Sequence, residues 1–195
     1  SLVTAMKEAV SGKARILYAK GSNICYNAKL QENASRGNLK WDSRSPEEMI
    51  NEAVTIARNS DIIVAAIGEP GEASGECSSR SDLTIFDAQK DLLTALKKTG
   101  KPVVLVNFSG RPTVMTWESQ NFPAILNVWF GGTEAAPAIC DILFGDKTPS
   151  GHLTCTMPKN MGQIPIYYNH LNTGRPLKEG NWFSKFRSNY LDVDN

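Results

Sequence analysis

The chain has 195 residues, of which 41% are hydrophobic and 21% charged, and its 21 basic and 20 acidic side chains leave a formal net charge of +1. That length suits one large domain or two cramped ones, and a single domain of this size buries roughly 70% of its unfolded surface without needing disulfides or metals as staples. The near-zero charge gives no electrostatic case for a nucleic-acid or membrane surface, and apolar runs such as residues 62–67 and 103–106 are far shorter than the ~20 residues of a membrane span. Disorder, collagen and coiled coil are excluded by the same composition.

In chain order, Leu2, Val3, Met6, Ala9 and Val10 fall on one face of a short helix that stops near Gly12. Residues 14–19 (Ala-Arg-Ile-Leu-Tyr-Ala) read as a strand, and the polar stretch 20–44 as a long loop. Ser45-Pro46-Glu47-Glu48 has the makings of a helix start: a serine cap, a proline in the first turn and acids at the positive end of the macrodipole. Met49, Ala53, Ile56 and Ala57 continue that helix to about Ser60.

Residues 61–68 are apolar on both parities, as a central parallel strand requires when helices cover both faces. A helix over 87–99 follows, with Ala88, Leu92, Leu93 and Leu96 inward and Gly100 as its stop. Next come a buried strand at 103–108, a helical segment near 113–120 and a strand at 124–129. A last helix covers 133–144 with Ala138, Ile139, Ile142 and Leu143 inward. Helices alternating with strands predict an α/β fold, a three-layer α/β/α sandwich of flavodoxin-like type with a mostly parallel sheet. Beyond Gly145 the chain is rich in Pro, Gly and Asn, with at most short strands around 153–156, and it stops at Asn195 without a terminal helix or cap, as a cut end would. The beginning shows no basic, apolar leader, so a signal peptide is either lacking or lies upstream.

Cys25, Cys77, Cys140 and Cys155 are irregularly spaced, form no CxxC pair and lie far from His152 and His170 in any metal-like pattern. Free thiols are the default reading, and no metal site is expected. Ligands of open α/β sheets bind beyond the carboxyl ends of the strands, which singles out the loop 68–80. It holds Glu69, Glu72 and Glu76, three glycines and Arg80. Glycines admit a ligand close to the backbone and loop glutamates can act as general acids or bases, although a solvated polar loop has the same composition. No GxGxxG, GxxxxGK[ST] or GxSxG motif is present.

An ordered set of motifs then narrows the field. Ser74-Gly75-Glu76-Cys77-Ser78-Ser79-Arg80-Ser81-Asp82-Leu83, Gln89, Gly100-Lys101-Pro102 with the strand after it, and Gly110-Arg111-Pro112 come first. They are followed by Gly132-Thr133-Glu134-Ala135-Ala136, Leu143-Phe144-Gly145-Asp146, Pro149-Ser150-Gly151 and the run from Gln163 to Pro176. Together these resemble the C-terminal α/β-sandwich domain of glycoside hydrolase family 3, most closely its periplasmic β-glucosidase branch, over residues 61–176. Phe86 stands where that branch has a helix-starting proline, and His152 and Thr154 replace a lysine and a proline.

The resemblance implies one domain, residues 1–195, of a longer retaining, exo-acting β-glucosidase-like glycosidase. An N-terminal TIM barrel would carry an aspartate nucleophile, and a fibronectin-like domain would follow. The alternatives are another specificity of the family, such as β-xylosidase, and a non-catalytic sugar-binding or domain-packing module. Glu76 matches the acid/base position, and Glu69, Ser74, Gly75 and Arg80 become substrate-binding or loop-positioning residues. Glu69 is read equally as an anchor for the loop, Glu72 as exposed, and Arg80 as a partner of Glu76 or Asp82 or as a backbone brace. The implied partners are a glycoside or oligosaccharide and the barrel of the same polypeptide; the implied cofactor is none, since two carboxyls suffice. A periplasmic or secreted location follows from the same likeness. Away from the barrel, the 68–80 loop is expected to have few apolar anchors and to be mobile or displaced, and the chain alone to be inactive.

Among the aromatics, Trp129 and Phe130 end a strand on the ligand-binding edge, where core packing of Trp129 competes with stacking on a sugar. Trp41 and Trp182 sit in polar stretches suited to a domain interface, and His170 and Asn172 to a loop brace. Asn33-Ala34-Ser35 is a formal glycosylation acceptor of little weight.

Overall fold

A computed structural model describes residues 1–169, 171, 190, 192 and 193. His170, Asn172, Trp182 and residues 173–176 lie outside the described residues. The elements are α1 (Leu2–Val10), α2 (Ala28–Ser35), α3 (Pro46–Arg58), β1 (Ile63–Gly68), α4 (Asp87–Lys97), β2 (Val103–Phe108), α5 (Thr116–Asn121), β3 (Ala124–Asn127) and α6 (Ala135–Leu143).

The three strands form one parallel sheet in the order β1-β2-β3, with Ala65 opposite Leu105 and Asn107 opposite Asn127. Because successive side chains in a strand point to opposite faces, the doubly apolar strands feed two clusters. Ile63, Ala65 and Ile67 join Val103 and Leu105 against Ala53 and Ala57 of α3 and Leu93 and Leu96 of α4. Val64 turns the other way, toward Leu2, Ala5 and Met6 of α1 and Ala136 and Cys140 of α6. Helices therefore cover both faces of a parallel sheet, and the fold is the α/β one expected. The start of α3 carries the full capping box: Ser45 Oγ accepts the Glu48 N–H, and the Glu48 carboxylate accepts the Ser45 N–H.

Three expectations need correction. Residues 14–19 form no strand: Leu17 and Tyr18 are exposed, and only Ile16 and Ala19 reach the clusters. A strand needs a ladder partner as well as an apolar pattern, and this stretch makes none.

The supposed loop 20–44 contains α2, capped by Asn27, whose side chain accepts the Leu30 N–H at 3.0 Å. This helix has no apolar face to read. It buries Gln31 and Ser35, and Gln31 Oε1 accepts the Ile24 N–H at 2.8 Å. In α6, Cys140 turns inward and Ala138 is exposed. Residues 153–156, where at most short strands are expected, form none, in keeping with that reading.

Candidate active-site loop

The loop begins where β1 ends, and its root is fixed by backbone geometry. Gly68 has φ 122°, and a Cβ there would lie 1.9 Å from the Phe108 carbonyl oxygen, so only glycine fits. Gln89, buried on α4, clamps the same residue: its Oε1 accepts the Gly68 N–H at 2.7 Å and its Nε2 donates to the Gly68 carbonyl at 2.8 Å. The next amide, of Glu69, donates to the Phe108 carbonyl at 2.9 Å. A side-chain amide thus serves Gly68 on one side while β2 guides the chain on the other.

Glu69 is the hub of the loop. Its side chain is 1% exposed and lies between two arginines, with Arg80 Nη1 at 3.2 Å from Oε2 and Arg111 Nε at 3.1 Å from Oε1. Oε1 also accepts the hydroxyls of Ser74 and Ser109 and, at 3.4 Å, the Gly110 N–H. Burial pushes the Glu69 carboxyl up, but Ser74, Arg111, Arg80 and Ser109 together outweigh it and hold it below the usual glutamate value.

The two arginines tie the hub to the loop backbone. Arg111 donates to the Ala73 carbonyl through Nη2, and Arg80 donates to the Thr84 carbonyl at 2.9 Å. The Arg80 guanidinium lies 4.0 Å above the centre of the Phe86 ring, a cation–π contact that a proline at this position would not offer. Phe86 supplies its carbonyl to the Gln89 and Lys90 amides at the start of α4 without capping through its side chain.

Glu69 is therefore the anchor of the loop. Arg80 pairs with neither Glu76 nor Asp82, contrary to one expectation; it braces Glu69 and the Thr84 backbone. The burial of Glu69 explains that choice, since a buried carboxylate needs a counter-charge more than the exposed Glu76 and Asp82 do. Ala73 is buried, so the loop has one apolar anchor, but the principal anchors are ionic. Ser109 and Arg111 go unassigned in the sequence because they lie 40 and 42 positions from Glu69, although Arg111 stands within the Gly110-Arg111-Pro112 motif. The close approach also explains Gly110: a Cβ there would come within 2.4 Å of Ser74 Cβ and 2.9 Å of the Phe130 ring.

Beyond the hub the loop makes a short 3-10 turn, Gly71–Ser74, and then a tight turn in which the Ser78 N–H donates to the Gly75 carbonyl at 3.1 Å. Cys77 inside it is left-handed, with φ 63°, a conformation that costs a non-glycine residue about 1 kcal/mol. This turn presents Glu76 to solvent. Among the described residues the Glu76 carboxylate has no hydrogen-bond or ion-pair partner, while its backbone carbonyl accepts Arg36 Nη2 at 3.2 Å. Glu72 is not simply exposed: it pairs with Arg36 Nε at 3.0 Å.

The surroundings qualify the other candidates. Trp129 is half-buried, with φ 52°, and belongs to neither apolar cluster, while Phe130 and Trp41 are exposed. Ser35 of the Asn33-Ala34-Ser35 triplet is 1% exposed inside α2. All four cysteines are free, with Cys77 and Cys155 exposed and Cys25 and Cys140 buried. Among the described residues no helix is long and apolar enough to cross a membrane. An open hollow of about 500 Å³ is bordered by α2, the loop and the start of α4, with Leu30, Ala34, Ser79, Arg80 and Lys90 among its lining.

Comparison with known proteins places this geometry in context. Residues 1–190 match the glycosyl hydrolase family 3 C-terminal domain. The whole chain aligns at 46% identity with a periplasmic beta-glucosidase of Salmonella typhimurium, of which it covers 26%. A beta-xylosidase of Formosa agariphila is 36% identical over 86% of the chain, which covers 21% of that protein. The crystal structure of a beta-glucosidase from Listeria innocua in complex with glucose superimposes with a TM-score of 0.74 at 38% identity, over 80% of this chain and 22% of that one. The chain thus spans about a quarter of the length of the curated relatives it matches.

Proposed function

The chain belongs to the glycoside hydrolase family 3 C-terminal domain, and from that premise we propose that it is the second domain of a retaining, exo-acting β-glucosidase-like enzyme with Glu76 as general acid/base. The observation that carries this reading is the contrast between two glutamates on one loop. Glu69 is buried and spent on two arginines, whereas Glu76 is held by its backbone and its carboxylate has no partner among the described residues. A group that must give and then take a proton needs a fixed main chain and an unengaged carboxyl.

In the proposed reaction an aspartate from a preceding barrel domain attacks the anomeric carbon. Glu76 meanwhile protonates the departing glycosidic oxygen. In the second step the Glu76 carboxylate takes a proton from the water that attacks the glycosyl-enzyme. Two carboxyls about 5–5.5 Å apart across the sugar suffice for this sequence. A catalytic acid must keep its proton near neutral pH, which burial and a second carboxylate supply on assembly with the barrel. The substrate is a terminal β-D-glucosyl residue, in keeping with the Salmonella and Listeria relatives. The Formosa relative supports the pentoside specificity as the second reading. The periplasmic relative also supports a periplasmic or secreted location.

The test uses the full-length polypeptide that carries this domain, with aryl β-glucosides and β-xylosides. Glu76→Gln is expected to lower kcat/KM on poor leaving groups about 10²- to 10⁴-fold, the usual range for a lost general acid. Unchanged turnover on those substrates would refute the role. The 195-residue chain alone is expected to be inactive, since in this proposal the nucleophile belongs to the barrel domain.

A further inference from the structure

The turn that presents Glu76 is gripped from outside by a side chain that the Glu69 hub does not use. Arg36 closes the C-terminus of α2 in the left-handed conformation, φ 47°, with its N–H directed at the Asn33 and Glu32 carbonyls. Its backbone is therefore tied to the helix. Its guanidinium then crosses to the loop, where Nε lies 3.0 Å from Glu72 Oε2 and Nη2 donates to the Glu76 carbonyl at 3.2 Å. The Glu72 carbonyl in turn accepts the Gly75 N–H at 3.2 Å, so the two anchor points of Arg36 straddle the stretch that leads into Glu76.

We infer that Arg36 is a positioning residue for the acid/base step, holding the main chain of Glu76 so that its carboxyl meets the glycosidic oxygen. The inference rests on the assignment of Glu76 above. Stability does not account for the contact. The Arg36 and Glu72 side chains are 59% and 37% exposed, and pairs of that kind contribute little to folding. What the contact does restrict is the orientation of one turn. A planar guanidinium can serve a carboxylate and a carbonyl together, whereas an ammonium is a point charge without that fork. Arg36→Lys therefore keeps the charge and loses the double grip. Small displacements of a reacting group are costly, because near-attack geometry tolerates less than about 1 Å.

The experiment compares the full-length polypeptide with its Arg36→Ala, Arg36→Lys and Glu76→Gln variants on two substrates. Phenyl β-glucoside needs a proton on its leaving group, and 2,4-dinitrophenyl β-glucoside needs almost none. Arg36→Ala is expected to lower kcat/KM about tenfold on the phenyl substrate and less than about twofold on the dinitrophenyl one. Arg36→Lys should behave like Arg36→Ala, with unchanged melting temperatures for both. Equal losses on the two substrates, or no loss, while Glu76→Gln remains selective for the phenyl substrate, would overturn the inference alone. A Glu76→Gln variant without that selectivity would overturn the acid/base assignment and this inference together.

Discussion

Replacing Glu69 by glutamine removes one negative charge from between Arg80 and Arg111 and leaves the side-chain volume nearly unchanged. Glutamine offers a single acceptor oxygen where Oε1 now takes Ser74, Ser109, Gly110 and Arg111, and Oε2 takes Arg80. Whichever way the amide turns, its NH₂ faces donors. Breaking a buried ion pair from one side costs roughly 3–5 kcal/mol, and the partial hydration of the arginines, 14% and 18% exposed, argues for about 3 kcal/mol. With a urea slope near 2 kcal/mol per molar, the unfolding midpoint of the chain should fall by roughly 1.5 M at pH 7. The Glu69 pKa lies below its ordinary value of 4.5, so its ionic contribution is fully present above that value and is lost as pH falls through the lower, folded pKa. The gap between wild type and Glu69→Gln should accordingly narrow from pH 7 to pH 3. A midpoint change under about 0.5 M at pH 7, or a gap that widens on acidification, would refute the account of Glu69 as an ionic hub.

Two further outcomes concern groups outside the loop root. Glu118 is 3% exposed on α5, and burial holds its carboxyl above the usual value against its own backbone N–H and Lys90. Its burden on stability is therefore absent below 4.5 and grows as pH rises toward the folded pKa. Glu118→Gln should raise the urea midpoint at pH 7 and leave it nearly unchanged at pH 4; an equal gain at both pH values would contradict this. Cys77 and Cys155 are exposed, whereas burial raises the thiol pKa of Cys25 and Cys140. A disulfide exchange reagent should thus titrate two thiols quickly in the native chain and four after unfolding, and fast reaction of all four would show that the two buried sites open.

The repeating elements are legible because local rules and tertiary demands agree there. The serine-proline-diacid start of α3, the doubly apolar β1 and β2 and the glycine after α4 state their structure in adjacent residues. Residues 14–19 and α2 mislead for opposite reasons: one has a strand pattern and no ladder partner, the other is a helix whose buried face is polar. Motif order singles out the loop and Glu76, but not what holds them. Phe86 gains its cation only because Arg80 folds back toward Glu69, and Gln89 is a helix residue until Gly68 arrives beneath it. Arg36 and Arg111 meet the loop from α2 and from the end of β2, partners fixed by the packing of helices on a sheet. Where packing agrees with the local pattern, as in α3, β1 and β2, adjacent residues determine helix and strand, because propensity and periodicity act over a few positions. Which loop carboxylate is buried and neutralised, as Glu69 is, and which is left exposed, as Glu76 is, is a matter of three-dimensional charge pairing, and only the tertiary structure decides it.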